Sequence, residues 1–388
     1  MTPAQPEDGA SVGEPDSEMP AIPGQLLWGR EAYQIRAHAA GLANTAPGRF
    51  PGAQPVSLTR TAWQTELMQS DYMVCEKSDG VRVLVLMAVD ARDGISKTYM
   101  LTRKNEVYVV PGVAFPEAAT SAAAGAPLRW HSDTLIDAEL VVDTERDGRR
   151  VRRLLGFDAL AVGGSNCMDK PLDRRLGLLV SRVVNPFIDL CARQPPARRD
   201  ALPFQAEMKR FERSYAIAHI YDFVMPTLKH KSDGLIFTSV AAPYTPGTCQ
   251  TILKWKPSNE NSVDFKACVS PLADGSPAIQ LLAVRGAGAF TYVDNLAMQP
   301  GDWDRLFKPM GASLNGSIIE AVYDPEYAPP FKWRFLRFRT DKPNPNYYRV
   351  LVNIQQSIRD NVELDELKQG AHEMRLRWKQ RNPEPKPA

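Results

Sequence analysis

Two apolar, β-branched runs at 71–76 and 81–89 flank Ser78, Asp79 and Gly80, which predicts a pair of strands joined by a tight turn. Lys77 then stands at the end of the first strand. Similar runs predict further strands at 97–101, 107–110, 134–142, 152–161, 234–239 and 251–256. An Ala-, Gly- and Pro-rich stretch at 111–127 reads as a loop, and helical periodicity predicts amphipathic helices at 173–185 and 204–219. Beyond 257–260 the texture changes to short strands at 263–269, 278–284, 317–323 and 332–339, separated by Gly and Pro turns. About five such strands suit a small closed barrel of the OB-fold kind. Helical periodicity resumes from Asn346 through Ile354, Ile358 and Val362, and again over 365–380.

The fold class expected is α+β, with antiparallel sheets and helices followed by a C-terminal OB-fold β-barrel. The expected divisions are a disordered leader at 1–24, a first domain at 25–258, the barrel at 259–345, C-terminal helices at 346–382 packing back on the first domain, and a flexible tail at 383–388. The leader is rich in Pro, Gly, Ser and acids and contains no Lys or Arg.

Composition narrows the functional classes. A chain of 388 residues that is 44% apolar can build two cores, and 47 basic against 45 acidic residues exclude a uniformly basic coat. Any polyanion site must be a local basic cleft. Five scattered cysteines without a C-x-x-C pair indicate neither a disulfide framework nor a zinc site. No segment reads as a signal peptide or membrane span, so the expectation is a soluble intracellular protein without a membrane partner.

The chemistry lies in a series of short strings. Glu76-Lys77-Ser78-Asp79-Gly80-Val81-Arg82 offers an amine beside phosphate-binding residues. An ammonium group with an ordinary pKa near ~10.4 needs neighbouring cations, a metal or desolvation to become a nucleophile at neutral pH. Lys254, Lys256 and Arg82 would supply that positive field. On a strand, Lys254 and Lys256 share one face, where they can neutralise an α-phosphate; their expected partner is a phosphate, not a carboxylate. Glu139 and Asp233 offer hard oxygen ligands for a divalent cation or for ribose hydroxyls.

In order, the chain supplies Lys77-Ser78-Asp79-Gly80-Val81-Arg82, Thr102-Arg103, Asp137-Ala138-Glu139, Phe157-Asp158, Lys231-Ser232-Asp233-Gly234, Leu253-Lys254-Trp255-Lys256-Pro257 and Arg337-Phe338-Arg339-Thr340-Asp341-Lys342 with Pro345-Asn346. This series resembles the guanylyltransferases of mRNA capping, members of the covalent lysine nucleotidyltransferase superfamily that includes DNA and RNA ligases. The resemblance spans about residues 50–346 and implies a nucleotidyltransferase domain of the ATP-grasp-like ligase and capping fold. Lys-Trp-Lys-Pro and the final Arg-x-Arg-x-Asp-Lys string resemble capping enzymes more than ligases. One departure is Ala138, where the family carries glycine; an adjusted turn is expected there.

The resemblance implies roles. Lys77 would carry GMP, with Glu139 facing the ribose or a metal and Asp233 the catalytic metal, Mg or Mn. Phe157 would stack on the purine, although alone it reads as a core aromatic. Arg82 and Arg103 would contact ribose and phosphate; Arg339 and Lys342, with Asp341 between them, would reach the β- and γ-phosphates of GTP from the barrel, which acts as a lid. Lys209 is placed against guanine O6; otherwise it reads as an exposed residue on a helix. Glu76 is either part of the nucleotide site or a salt-bridging neighbour of Lys77. The acceptor implied is 5′-diphosphate RNA, giving a GpppN cap. By the same resemblance, a free-standing fungal-type alpha subunit would work in the nucleus with an RNA 5′-triphosphatase subunit and the phosphorylated C-terminal tail of RNA polymerase II. Alternatives are an ATP-dependent polynucleotide ligase and a non-catalytic RNA 5′-end binding or scaffold protein.

Overall fold

The computed structural model describes residues 19–90, 93–118, 128–257, 261–286, 288–324, 326–360 and 362–383. Among them, the first domain is built on two sheets. The larger runs in the order Gln25–Leu27, Val107–Val110, Ser96–Thr102, Val81–Val89, Thr134–Thr144, Arg150–Val162 and Gln205–Met208, with Ser165–Asn166 pairing to Arg150–Val162. The smaller runs Glu212–Arg213, Tyr72–Ser78, Ser232–Ser239, Gly247–Trp255 and Ala53–Ser57.

The lysine strand Tyr72–Ser78 and its sequel Val81–Val89 therefore belong to different sheets, and Asp79-Gly80 carries the chain from one to the other. Lys77 stands at that crossing. Gly80 is required there, because a Cβ would lie 2.5 Å from the Leu140 carbonyl oxygen. The apolar run along Val81–Val89 also has a physical reason. Val83, Val85 and Met87 enter the core on one face of the large sheet, while Leu84, Leu86 and Ala88 enter the core shared with the other face. A strand buried on both sides has no polar alternation to display.

The second half is a closed barrel of strands Ser262–Pro271, Pro277–Gly286, Ala289–Ala297, Trp333–Phe338 and Ile318–Tyr323. Val263, Phe265 and Ala267 fill its core, so Asp264 and Lys266 point outward. The strand Ala289–Ala297 has no counterpart among the predicted runs, because its exposed half carries Phe290 and Tyr292 without strict alternation.

Several expectations change. The helix expected at 204–219 is strand at Gln205–Met208 and Glu212–Arg213, and helical only from Ser214 onward. Phe204 and Ala206 enter the core beneath the large sheet while Gln205–Met208 pairs in parallel with Arg153 to Gly156, so tertiary pairing overrides the helical charge pattern. The helix expected at 173–185 extends as a continuous helical run through Leu172–Leu178, Leu179–Val184 and Asn185–Ala192. Residues 19–24 are not leader: Pro20 and Pro23 are buried and Ile22 packs against the core. Residues 1–18 of the expected leader, 119–127 of the expected loop and 384–388 of the expected tail lie outside the described residues.

The two C-terminal helices divide their allegiance. Tyr348–Asp360 sends Leu351 into the barrel core, whereas Leu364–Arg381 returns to the first domain, where Leu367 and Met374 pack with Trp63, Ile217 and Ile220. Glu366 pairs with Arg60 and Arg381 with Asp71 on that side. All five cysteines are free thiols. No helix among the described residues is long and apolar enough to cross a membrane.

Candidate active site

Lys77 Nζ donates to Asp233 Oδ1 at 2.6 Å, and the other Asp233 oxygen pairs with Lys256. A bulge aims the carboxylate. The pairing of Ser232–Ser239 with the lysine strand is regular from Leu235 onward and slips between Ser232 and Leu235, which releases Asp233 from the ladder. Gly234, at φ +156°, makes this possible, since a Cβ there would fall 2.0 Å from the Trp255 carbonyl oxygen. Burial pushes the Asp233 carboxyl upward, but Lys77 and Lys256 outweigh it and hold the group below its ordinary value.

Lys254 lies two residues from Lys256 on the strand Gly247–Trp255 and its extension, with Trp255 buried between them. Burial, then Lys77, Lys256 and Arg103, lower the Lys254 ammonium pKa. Four cations thus crowd one wall. Sequence reasoning gave the two strand lysines a phosphate rather than a carboxylate; for Lys256 the structure corrects this, because Asp233 already holds it.

Lys77 opens onto a cavity of about 670 Å³, lined also by Arg103, Glu139, Phe157, Lys209 and Asp341. A second bulge makes Phe157 available to it. Asp137 pairs with Asp158 and Ala138 with Gly156, so Phe157 is the extra residue on its strand and turns out of the ladder. Its ring lies 5.5 Å from the Arg82 guanidinium carbon and 5.7 Å from Lys209 Nζ. The Ala138 position is not an adjusted turn but the middle of the strand Thr134–Thr144, fully buried.

Arg82 differs from its expected role. Its Nε and Nη2 donate to Asp137 at 2.9 and 2.6 Å, so its charge is largely met by a buried carboxylate rather than offered to the lysine wall. Tyr244 donates to the same carboxylate at 2.5 Å. Lys209 is not on an exposed helix: it is buried, 3.6 Å from Glu76, and follows the strand Gln205–Met208. Burial lowers its ammonium pKa, but Glu76, Cys75 and Glu139 outweigh that and raise it. Glu76 pairs with Lys209 and accepts from Ser78 at 3.1 Å, leaving Asp233 as the carboxylate bonded to Lys77. The Glu139 carboxyl is raised by burial, which Lys209, Arg82 and Lys77 offset only in part.

A second cavity of about 340 Å³ shares Lys77 and Arg103 with the first and adds Lys254, Lys256, Ser262 and Ser357 from the junction with the barrel. The barrel cations Arg339 and Lys342 are held by Asp264, with Arg339 Nη1 2.9 Å from Asp264 Oδ1; Arg339 also bonds Asp341 at 2.7 Å. The ion-pairing roles of Asp264 and Asp137 are not evident from the sequence. Asp137 stood two residues before Glu139 in the quoted string, but nothing local distinguishes Asp264 from a solvated strand residue.

Residues 18–258 match the family described as mRNA capping enzyme, catalytic domain, and residues 260–368 match mRNA capping enzyme, C-terminal domain. The chain belongs to the mRNA capping enzyme family. The mRNA-capping enzyme subunit alpha of Yarrowia lipolytica is 34% identical over 95% of this chain and 94% of its own length. The subunit alpha of Schizosaccharomyces pombe is 33% identical over 91% of this chain and 88% of its own length, and that of Saccharomyces cerevisiae 31% identical over 93% and 87%. The capping-enzyme chain is thus a nucleotidyltransferase whose catalytic domain is a guanylyltransferase with GTP as substrate. The ligase and scaffold alternatives give way to this membership.

Proposed function

We propose that Lys77 is the nucleophile that carries GMP in mRNA guanylyl transfer. The observation that carries this reading is the position of Lys77: its amine is bonded to Asp233 and lines both the larger cavity with Phe157 and the cationic cavity with Lys254. In the first half-reaction Lys77 Nζ, having lost its proton, attacks the α-phosphorus of GTP; the P–N bond forms and the P–O bond to pyrophosphate breaks. In the second, a terminal oxygen of 5′-diphosphate RNA attacks the same phosphorus, the P–N bond breaks, and the lysine recovers a proton as GpppN leaves.

Each neighbour has a task in this scheme. Asp233 accepts from the Lys77 ammonium before reaction and fixes its position. Lys254, Lys256 and Arg103 meet charge gathering on the phosphate oxygens. Phe157 supplies a face for the purine and Lys209 a donor for guanine O6. Arg339 and Lys342 would reach the β- and γ-phosphates when the barrel approaches, exchanging their carboxylate partners for phosphate.

Glu139 and Asp233 are the carboxylates that would hold a divalent cation of the Mg or Mn type, which takes one or two carboxylates and leaves its other positions to water and substrate oxygens; Asp233 would have to yield Lys77 or Lys256 to do so. No group of three or more candidate metal ligands occurs among the described residues. Bound there, the cation would supply Lewis-acid polarisation of phosphate oxygens.

The acceptor chemistry also supports a partner. Nascent RNA begins with a triphosphate and the acceptor is a diphosphate, so an RNA 5′-triphosphatase activity must act first. The relatives' designation as subunit alpha supports a second subunit carrying it. A nuclear location and recruitment by the phosphorylated C-terminal tail of RNA polymerase II complete the proposal.

Incubation with α-labelled GTP or ATP and metal tests the reading. Covalent label from GTP, lost in Lys77→Ala, is the expected result; label from ATP alone, or label retained in Lys77→Ala, overturns it.

A further inference from the structure

We infer that Tyr244 is a positioning residue for guanylyl transfer: it fixes the gap between the two sheets across which Lys77 must meet the α-phosphorus. This rests on the Lys77 reading. The cleft draws on both sheets. Glu139 and the Phe157 bulge belong to the large sheet, whereas Lys77, Asp233 and Lys254 stand on three neighbouring strands of the small one. The chain itself joins the sheets at Asp79-Gly80, directly after the lysine strand. Lys254 lies two strands from that crossing, and Ala53–Ser57, the edge strand, lies three. A nucleotide seated on one wall and attacked from the other needs their separation held on that outer side as well.

Tyr244 ties the sheets there. It stands in the loop 240–246 that connects the Asp233 strand to the Lys254 strand, and its hydroxyl donates to Asp137 Oδ2, on the large sheet, at 2.5 Å. The same hydroxyl oxygen accepts from the Ala53 N–H, on the edge of the small sheet, at 3.0 Å and from Arg82 Nη2 at 3.4 Å. Arg82 closes the ring, donating twice to Asp137 and, through Nη1, to the Ala53 carbonyl. A phenol has one proton and two lone pairs, so this hydroxyl is fully engaged and acts on the substrate only through its partners. Burial, and then the Asp137 carboxylate, push its pKa well above the ordinary value, so Tyr244 remains the donor in that bond.

The same loop is anchored to the purine platform. Arg175 is buried and donates to the two Asp158 oxygens at 2.7 and 3.0 Å and to the Ala242 carbonyl at 3.0 Å; its guanidinium carbon lies 5.9 Å from the Tyr244 ring centroid. Asp158 follows Phe157 and pairs in register with Asp137, and the Phe157 ring faces Arg82. The bonds through Tyr244 therefore hold the platform and the lysine strands at one spacing. A displacement of about 1 Å at reacting atoms costs up to ~100-fold in rate, so loosening that spacing reaches the reaction without any contact to GTP.

The test is single-turnover labelling of the full chain with α-labelled GTP and metal, fitted for the rate constant, KM and the fraction of chains labelled. Tyr244→Phe removes the hydroxyl and keeps the ring. Its rate constant at saturating GTP should fall about tenfold while KM stays within about twofold, the split expected when transition-state geometry rather than ground-state binding is lost. A residue that serves stability alone would lower the labelled fraction and leave the rate constant of the remainder unchanged, and that result overturns the proposal. Asp137→Asn should show the same split, and serves if Tyr244→Phe leaves too few folded chains; an unchanged rate constant there counts equally against it. In Tyr244→Phe/Asp137→Asn the rate constant should stay within about twofold of the slower single variant, because both act through one bond. Losses that multiply overturn the proposal. Absence of label in the parent chain, or label retained in Lys77→Ala, would instead overturn the Lys77 reading.

Discussion

Asp233 bridges Lys77 and Lys256, with Oδ1 2.6 Å from Lys77 Nζ and Oδ2 paired to the second lysine. This carboxylate is therefore the hub of the lysine wall, and it stands there because a bulge frees it from its strand. Asp233→Asn should cut covalent labelling by roughly 100-fold, measured with α-labelled GTP, while the chain still folds. Its pH signature follows from the lowered carboxyl. A folded pKa below the unfolded value, ordinarily about 3.9, means that the stabilisation is complete above that value and lost as pH falls through the folded one. Urea unfolding of the parent against Asp233→Asn should show a constant difference from pH 6 to 8 that shrinks only in acid.

Lys254 gives the opposite sign. Its ammonium is lowered by burial and by three neighbouring cations, so the folded chain sheds this proton more readily than the unfolded chain. Between the lowered value and about 10.4 the unfolded state binds more protons, and the contribution of Lys254 to stability rises with pH. At neutral pH the charge is a cost of function. Lys254→Met should melt at a higher temperature than the parent at pH 7, by a margin that narrows in alkali, while labelling by GTP falls roughly 100-fold. A lower melting temperature at pH 7 would contradict the crowding of cations on this wall.

The Lys209–Glu76 pair is buried and should behave as a unit. Lys209→Met leaves Glu76 without its partner and should cost about 3–5 kcal/mol in chemical denaturation. Adding Glu76→Gln should recover most of that loss, because two neutral groups of similar volume replace the pair. In the double variant the preference for GTP over ATP in covalent labelling should decline, since the donor assigned to guanine is gone.

Asp264 braces both barrel cations, Arg339 and Lys342. Asp264→Ala should leave Lys342 without its acceptor and Arg339 with only Asp341 and Glu320, and destabilise the chain by about 1–3 kcal/mol. Asp264→Asn keeps the shape and should fold. With Lys342 released and Arg339 held only by Asp341 and Glu320, formation of the GMP adduct should fall about tenfold while transfer from a preformed adduct changes little, a difference that single-turnover kinetics resolve.

The strings around Lys77, Glu139, Asp233 and Lys254 were legible in the sequence because their chemistry is written in residue type and spacing, and the strand of Lys77 was legible because its flanks are continuous apolar runs. The barrel was legible from its short strands and turns. The segment at 204–219 was not: its charges repeat at helical intervals, and only the pairing of Gln205–Met208 with a strand fifty residues earlier decides that it is extended.

The sequence by itself determined which groups are available, a lysine, two carboxylates, a cationic strand and an aromatic. Tertiary structure decided how they are spent. Two bulges, at Asp233-Gly234 and at Phe157, turn an acid and a ring out of their ladders toward one cleft. Long-range ion pairs commit Arg82 to Asp137, Lys209 to Glu76 and the barrel cations Arg339 and Lys342 to Asp264. Local sequence cannot fix those partners, because each charge chooses among acids that only folding brings within reach.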